Sequence, residues 1–539
     1  MKEKEFSYID ICDSIFRINP VSLYEVEEAI DKLKNKISKC HYGMTNKFVK
    51  GIKEEIAPVL MNTINKSIVD SEFPTTLKTA KVIALHKGGS KDDMNNYRPL
   101  SIVSPLSKVI EATVCKQINR FLKINKILYK HQYGFRKNMN TQAAIRTCVD
   151  MIERNKENKN ITAVIAVDLR KAFDSVNIEI LLLKLRKIGF SNNAVKWMRS
   201  YLLNRRQYVQ ITKNQQNFKS DEILIKGGVQ QGANLGPLLF LLYNNDLRKY
   251  IDKKLINSII TSFLLLILFA DDILFIISNK NLQKLEEEAF LILNLVNQWC
   301  ELNEVEINYT KSLFMLVNCN LNTVHNFNIL ITDREIEEVK TLKYLGVLLD
   351  INLNFKSHVE NFIKKLNSAI FIMRYMAAFC GNELLLTIYH ALFLSHINYC
   401  LNTWSNCSDK MIQRVFLLQK KAVRIIFKLK SRATCREVFQ ENELLTIPAI
   451  IILSRVLDFN LKRLELSKVA TNYHQYNTRN KETTKAREES AYYQKAAILF
   501  DKLPRALKNE ANQLTKFKNE LKKYLAIKCP YSISEFIEM

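Results

Sequence analysis

The chain runs to 539 residues, 47% of them apolar and 25% charged, which excludes a disordered chain and exceeds what one hydrophobic core usually organises, so two or three lobes are expected. Its 80 lysines and arginines face 54 aspartates and glutamates, a formal charge of +26 that favours a polyanionic partner, nucleic acid being the commonest. The 11 cysteines are scattered singly, and the start MKEKEFSYIDICDS is strongly charged, so no signal peptide is expected, and the cysteines are read as reduced thiols of an intracellular protein. The spacing of His390, His396, Cys400 and Cys407 matches no compact zinc knuckle.

Residues 20–70 hold two segments, VSLYEVEEAIDKLKNKI and KEEIAPVLMNTINKSIV, whose apolar positions three and four apart predict amphipathic helices. After Phe73-Pro74 a short strand AKVIALHK, the polar loop GGSKDDMNN and the strand YRPLSIVS predict a β-hairpin with a basic tip. Helices are expected over KVIEATVCKQINRFLKI and from Thr141 onward. The β-branched run ITAVIAVD then delivers Asp168 at the end of a buried strand. A second hairpin is expected near RRQYVQI and DEILIKGGV, followed by QQGANLGPLLFLLYNNDL, a turn opening into an apolar helix. Ile256 to Ser278 is about as long as a membrane span. Asp271 and Asp272 would be costly in hydrocarbon, so the segment is read as buried β-structure and no membrane partner is expected. Beyond KTLKYLGVLLD, from Asn352 onward, the pattern is helical.

Asp168 ends one apolar strand, and Asp271-Asp272 lie in the turn between LLLILFA and ILFII. If those strands are neighbours, three carboxylates meet at one sheet edge, where mutual repulsion calls for cations; hard oxygen ligands suit magnesium. Two such ions would support in-line nucleotidyl transfer. Taken separately, a helix-capping Asp168 and an ordinary turn at Asp271-Asp272 explain the same residues.

The blocks AVDLRKAFDSV (166–176), GVQQGANLGPLLFLLYNNDL (228–247), LFADDILF (268–275) and YLGVLLD (344–350) occur in the order of reverse transcriptase signatures. FPTTLKTAKVIALHKGG, NNYRPLSIVSPLSKVIE and QYGFRKNMNTQAAI upstream, with WCELNEVEINYTKS, LFLSHINYCLNTW and LQKKAVRII downstream, extend the likeness over nearly the whole chain. The sequence thus resembles reverse transcriptases of non-LTR (LINE-type) retrotransposons, close to the jockey-like group.

That resemblance implies an α/β fold with an α+β palm, in a right-hand polymerase of fingers (1–165), palm with finger insertions (166–350), helical thumb (351–435) and a basic helical C-terminal region (436–539). It implies an RNA-directed DNA polymerase that adds dNTPs to a DNA primer on an RNA template at a DNA target, with two Mg2+ ions or Mn2+ in their place, and by implication in the nucleus. Asp168, Asp271 and Asp272 would hold the metals, with the Leu169 carbonyl a further ligand. Phe173 would be the gate that excludes a ribose 2'-hydroxyl, Lys87 and Arg98 would close on the triphosphate, and Gln231 and Gly232 would form the turn beneath the nucleotide. Lys311 would stand near the leaving pyrophosphate as a general acid. Asp174, Tyr344 and Gly346 also match family positions.

Residues 411–435 carry seven basic residues and no acidic one, and on a continuous helix Lys420, Arg424, Lys428 and Arg432 would share a face suited to phosphates. Gln230 and Ala233 replace the usual proline and serine of the nucleotide turn, so a decayed relative that only binds nucleic acid is the alternative. Polymerase homology begins within about twenty residues of Met1, where the resemblance would call for an endonuclease ahead of it; neither that domain nor a ribonuclease H is expected within this sequence.

Overall fold

The computed structural model describes residues 6–9, 12–213, 215–256, 261–318, 327–470 and 491–539. They form two compact units, one built from residues 1–140, 165–313 and 325–337, the other from 141–164, 314–324 and 338–539. The fold is mixed α/β.

In the first unit, α1 (Leu23–Asp31) opens on a capping box in which Ser22 and Glu25 satisfy each other's backbone N–H groups. It buries Val26, Ala29 and Ile30 and ends before the expected KNKI segment. α2 (Lys53–Asp70) follows. β1 (Thr79–His86) and β2 (Tyr97–Ile102) form the expected hairpin, with Leu85 opposite Arg98. α3 (Pro105–Ile124) starts with Ser104 as cap and proline in its first turn, where no N–H is needed.

β3 (Ile161–Val167), which begins in the second unit and ends in the first, is nearly continuous in its burial and delivers Asp168 at its end. β4 (Arg206–Lys213) corrects the expected second hairpin, since it pairs antiparallel with β5 (Gln216–Lys219) and only briefly with Ile223–Leu224. All four β5 residues are exposed, so apolar patterning held no sign of that strand. β4 also lies parallel to β1.

α4 (Leu235–Asn244) is buried on almost every face, as its apolar run requires. β6 (Phe263–Phe269) and β7 (Asp272–Asn279) pair antiparallel from Phe263↔Ser278 to Phe269↔Asp272, leaving Ala270 and Asp271 as a two-residue turn. Strand order places β7 between β3 and β6. The apolar stretch around the paired aspartates is therefore a strand pair over its described part; residues 257–260 lie outside the described residues. Among the described residues no helix is long and apolar enough to cross a membrane. α5 (Leu282–Leu302) buries Leu285, Ala289, Ile292, Val296 and Trp299.

In the second unit, β8 (Thr341–Tyr344) and β9 (Val347–Asp350) form a hairpin, after which the described residues hold helices and no strand. α6 (Lys356–Met376) packs on α7 (Asp409–Ile426). α8 (Ile447–Ala470), α9 (Ala491–Asp501) and α10 (Leu514–Lys528) enclose a core including Ile452, Phe459, Phe500, Phe517 and Leu521.

Candidate active site

Asp168 is held by a strap that sequence periodicity did not announce. Its backbone N–H donates to the Ser312 hydroxyl at 3.2 Å, and its carbonyl accepts from the Asn308 N–H at 2.8 Å. The Asn308 side-chain amide then donates to the Asp168 carboxylate at 3.0 Å. One residue on, Leu169 bridges antiparallel to Ile307, with Arg170 N–H donating to Glu306 carbonyl at 2.8 Å. In that pattern the Leu169 N–H and C=O face away from the 306–308 segment. Leu169 is 5% exposed, so its side chain fixes the backbone that would present the carbonyl.

Asp271 and Asp272 end the β6–β7 turn and reach the surface. Surrounding protein still displaces enough water to matter. The Asp271 carboxyl is raised by burial and by the charge of Asp168, and pulled back by its own backbone hydrogen bond and by Arg98. Burial, then Asp271 and Asp168, push the Asp272 carboxyl up to about 6. Each of the three carboxylates is thus within electrostatic reach of the others, with Arg98 of the β1–β2 hairpin as an opposing charge at Asp271.

This donor set fits a hard divalent cation, because burial and the neighbouring carboxylates raise both carboxyls and a bound cation would offset the two effects. The fit is in charge and chemistry. Among the described residues no three His, Cys, Asp or Glu side chains close on one point as a ready-made cage.

The neighbouring residues come from β2 and the 228–236 turn. Gln231 accepts the Ser101 N–H at 2.9 Å, and Gly232 has a φ of +116°, where a Cβ would lie 2.5 Å from the Ser101 carbonyl. The turn is therefore seated on the strand that carries Arg98, and glycine is required by both conformation and space. Burial raises the Asp174 carboxyl, against which Lys171 and then Lys87, exposed at the start of the hairpin loop, pull down. Phe173 stacks on Phe240 at 4.5 Å and meets the edge of Phe135 at 6.3 Å. Lys311 is exposed, its backbone N–H donating to Asn308 carbonyl at 3.1 Å on the strap that holds Asp168.

The basic stripe needs correction. α7 ends at Ile426, Lys428 takes a left-handed φ of 53°, and Leu429 N–H closes back on Arg424 carbonyl at 2.9 Å. That is a Schellman-type ending, so Lys428 and Arg432 lie beyond the helix, and the four residues do not form one helical face. Lys420 lies 4.8 Å from the ring centre of Phe416 and 5.4 Å from that of Tyr531. Arg424 donates to the Ala433 carbonyl at 3.1 Å. Arg424 and Lys428 do share a groove of about 630 Å³ with Arg374 and Lys421.

The described cysteines are free thiols, and no metal cluster forms among His390, His396, Cys400 and Cys407. Residues 86–349 match the family described as reverse transcriptase (RNA-dependent DNA polymerase). These residues carry a reverse transcriptase domain.

The chain is 25% identical over 414 residues to the RNA-directed DNA polymerase from mobile element jockey of Drosophila melanogaster, covering 76% of this chain and 44% of that protein. The jockey protein of Drosophila funebris is 24% identical over the same shares. The Pol polyprotein of the type-1 retrotransposable element R1 of Bradysia coprophila is 24% identical over 74% of this chain and 38% of its own. The chain thus spans less than half the length of these relatives. Among solved structures, apo telomerase from Candida tropicalis aligns at a TM-score of 0.35 and 16% identity, over 51% of this chain and 54% of that one. All candidate polymerase residues from Lys87 to Lys311 fall inside the matched reverse transcriptase domain, whereas the basic groove lies outside it.

Proposed function

We propose that this reverse transcriptase domain gives the chain RNA-directed DNA polymerase activity of the non-LTR retrotransposon kind. The observation that carries it is the placement of Asp168 at the end of β3, beside the β7 strand whose turn bears Asp271 and Asp272, where the charge of Asp168 acts on both. Two Mg2+ ions, or Mn2+, would activate the primer 3'-hydroxyl and neutralise the departing pyrophosphate when bound. Asp168, Asp271 and Asp272 would hold them, with the Leu169 carbonyl as a further ligand. Arg98 would fork across phosphate oxygens and Lys87 would add a point charge, drawing the triphosphate under the finger hairpin. Phe173, braced by Phe240, would meet the sugar and exclude a 2'-hydroxyl. Gln231 and Gly232 would bring backbone close to the nucleotide, and Lys311 would give a proton to the pyrophosphate oxygen.

In the second unit, the groove between α6 and α7 supports a phosphate-binding role: Arg374, Lys421, Arg424 and Lys428 line it, and no acidic residue does among those described. A template–primer duplex held there would be bound through its backbone with little sequence reading. The finger, palm, thumb and C-terminal segments ending at 165, 350, 435 and 539, and action on RNA, DNA primer and DNA target in the nucleus, belong to the same proposal.

Primer extension by the purified chain on an RNA template, with dNTPs and Mg2+, tests the reading; retained RNA binding without extension would contradict it. A non-polymerising binding relative is the second reading. It is favoured by Gln230, whose side-chain oxygen and nitrogen are both buried without a hydrogen-bond partner in the nucleotide turn.

A further inference from the structure

We infer that Gln132 is a positioning residue for the paired aspartates: its side chain clamps the backbone of the turn that presents Asp271 and Asp272, without touching reactants. The inference rests on the polymerase reading of that turn.

A two-residue hairpin turn leaves the N–H of its first residue outside the strand ladder. Here that residue is Ala270, held at a left-handed φ of 58° and 4% exposed. A buried N–H without a partner is destabilising, and water has little access to this one. The partner comes from far away in sequence. Gln132, 2% exposed, accepts the Ala270 N–H on its side-chain oxygen at 3.2 Å, and the same oxygen accepts the Gly134 N–H at 2.8 Å. One side-chain oxygen therefore ties the aspartate turn to the 132–134 backbone.

The rest of the segment makes the clamp rigid. Leu268 N–H donates to His131 carbonyl at 3.0 Å, Tyr133 N–H donates to Leu268 carbonyl at 2.8 Å, and the Tyr129 hydroxyl donates to Leu266 carbonyl at 2.9 Å. Residues 129–133 thus run along the outer edge of β6. The Arg136 guanidinium donates to the carbonyls of Tyr129 and Gln132 at 2.8 and 3.0 Å, closing the loop on itself. A Cβ at Gly134 would lie 2.4 Å from the Ala270 nitrogen, so the loop presses on the turn as closely as backbone permits.

The next residue extends the clamp toward the sugar gate. Phe135, at a left-handed φ of 52°, meets Phe173 edge to face. The same short loop therefore braces both the turn that would hold metal and the ring that would face the sugar. Partners of ligating groups typically change metal affinity or activity about 10- to 100-fold when removed.

The test compares wild type with Gln132→Met, which keeps volume and loses the acceptor, and Gln132→Glu, which keeps an acceptor oxygen. Three quantities are read on the full chain: Mn2+ affinity by electron paramagnetic resonance, deuterium exchange of the metal-free peptide spanning the turn, and extension kinetics at varied Mg2+. For Gln132→Met we expect about 10- to 100-fold weaker Mn2+ binding and lower kcat, faster exchange at the turn, and unchanged primer–template Kd. Gln132→Glu should restore most of each. Wild-type Mn2+ affinity and exchange in Gln132→Met would overturn the clamp, as would a parallel loss of primer–template binding or of exchange protection throughout the chain. Should Gln132→Met fail to fold, Gln132→Glu decides: exchange at its turn as slow as in wild type is expected, and clearly faster exchange there, with the rest of the chain still protected, would overturn the inference. Absence of polymerisation by wild type would refute the polymerase reading while Mn2+ affinity and exchange still report on the clamp.

Discussion

Asn308 grips Asp168 from two sides, its backbone N–H on the Asp168 carbonyl at 2.8 Å and its side-chain amide on the carboxylate at 3.0 Å. The Thr310 hydroxyl donates to the Asn308 side-chain oxygen at 2.9 Å, which leaves the amide nitrogen to face the aspartate. Asn308→Leu should therefore cost about 10- to 100-fold in activity while dNTP selectivity stays the same. Wild-type activity in Asn308→Leu would separate Asn308 from the chemistry.

Protonation of the paired aspartates sets a second expectation. Burial and neighbouring carboxylates push Asp272 up to about 6, above the value of about 3.9 for an unfolded aspartate. The folded chain thus holds this proton more tightly. In metal-free protein its stabilising contribution is complete below about pH 4 and is lost as pH rises through about 6. Asp272→Asn removes this dependence, so the difference in Tm between variant and wild type should grow in favour of the variant across that window. A constant difference from pH 4 to pH 7 would contradict the coupling.

Phe173 stacked on Phe240 gives the proposed sugar gate a fixed face. Phe173→Val should lower the preference for dNTPs over rNTPs by at least about tenfold, the scale set by small changes in pocket volume. Competing incorporation of dNTP and rNTP measures it directly, and an unchanged ratio would remove Phe173 from sugar selection.

Gln230 buries two polar atoms without partners in the turn before Gln231. Gln230→Met keeps the length and removes the unmet hydrogen-bonding demand, so stability should rise by about 1–3 kcal/mol in urea unfolding. A loss of stability would mean that these atoms find partners in solution.

The basic groove predicts a salt effect. Alanine at Arg374, Lys421 or Lys428 should weaken template–primer binding evenly across sequences and make the salt slope shallower by about 0.9 for each phosphate no longer neutralised. A sequence-dependent weakening would indicate that these side chains reach base edges instead.

Much of this site was legible in the chain. ITAVIAVD and the apolar runs flanking Asp271-Asp272 announce strands with carboxylates at their ends, and the observed β6–β7 register matches that expectation. The parts that were not legible depend on residues far apart in sequence. Asn308 reaches Asp168 across 140 residues and Gln132 reaches Ala270 across 138, and neither polar residue carries a periodic signal. The parallel pairing of β1 with β4 is equally nonlocal. The basic stripe failed for a local reason: four-residue spacing continues past Ile426, but the chain turns left-handed at Lys428 and the helix stops.

RNA-directed DNA synthesis by this domain would depend above all on Asp168, Asp271 and Asp272. The most direct test is extension of a DNA primer on an RNA template by wild type, Asp168→Asn and Asp271→Asn, each shown to bind the primer–template equally well. Extension by wild type is expected, with a loss of at least about 10²- to 10³-fold in each variant. Equal extension by all three, or none by any with binding intact, would contradict the assignment of these aspartates to polymerase chemistry.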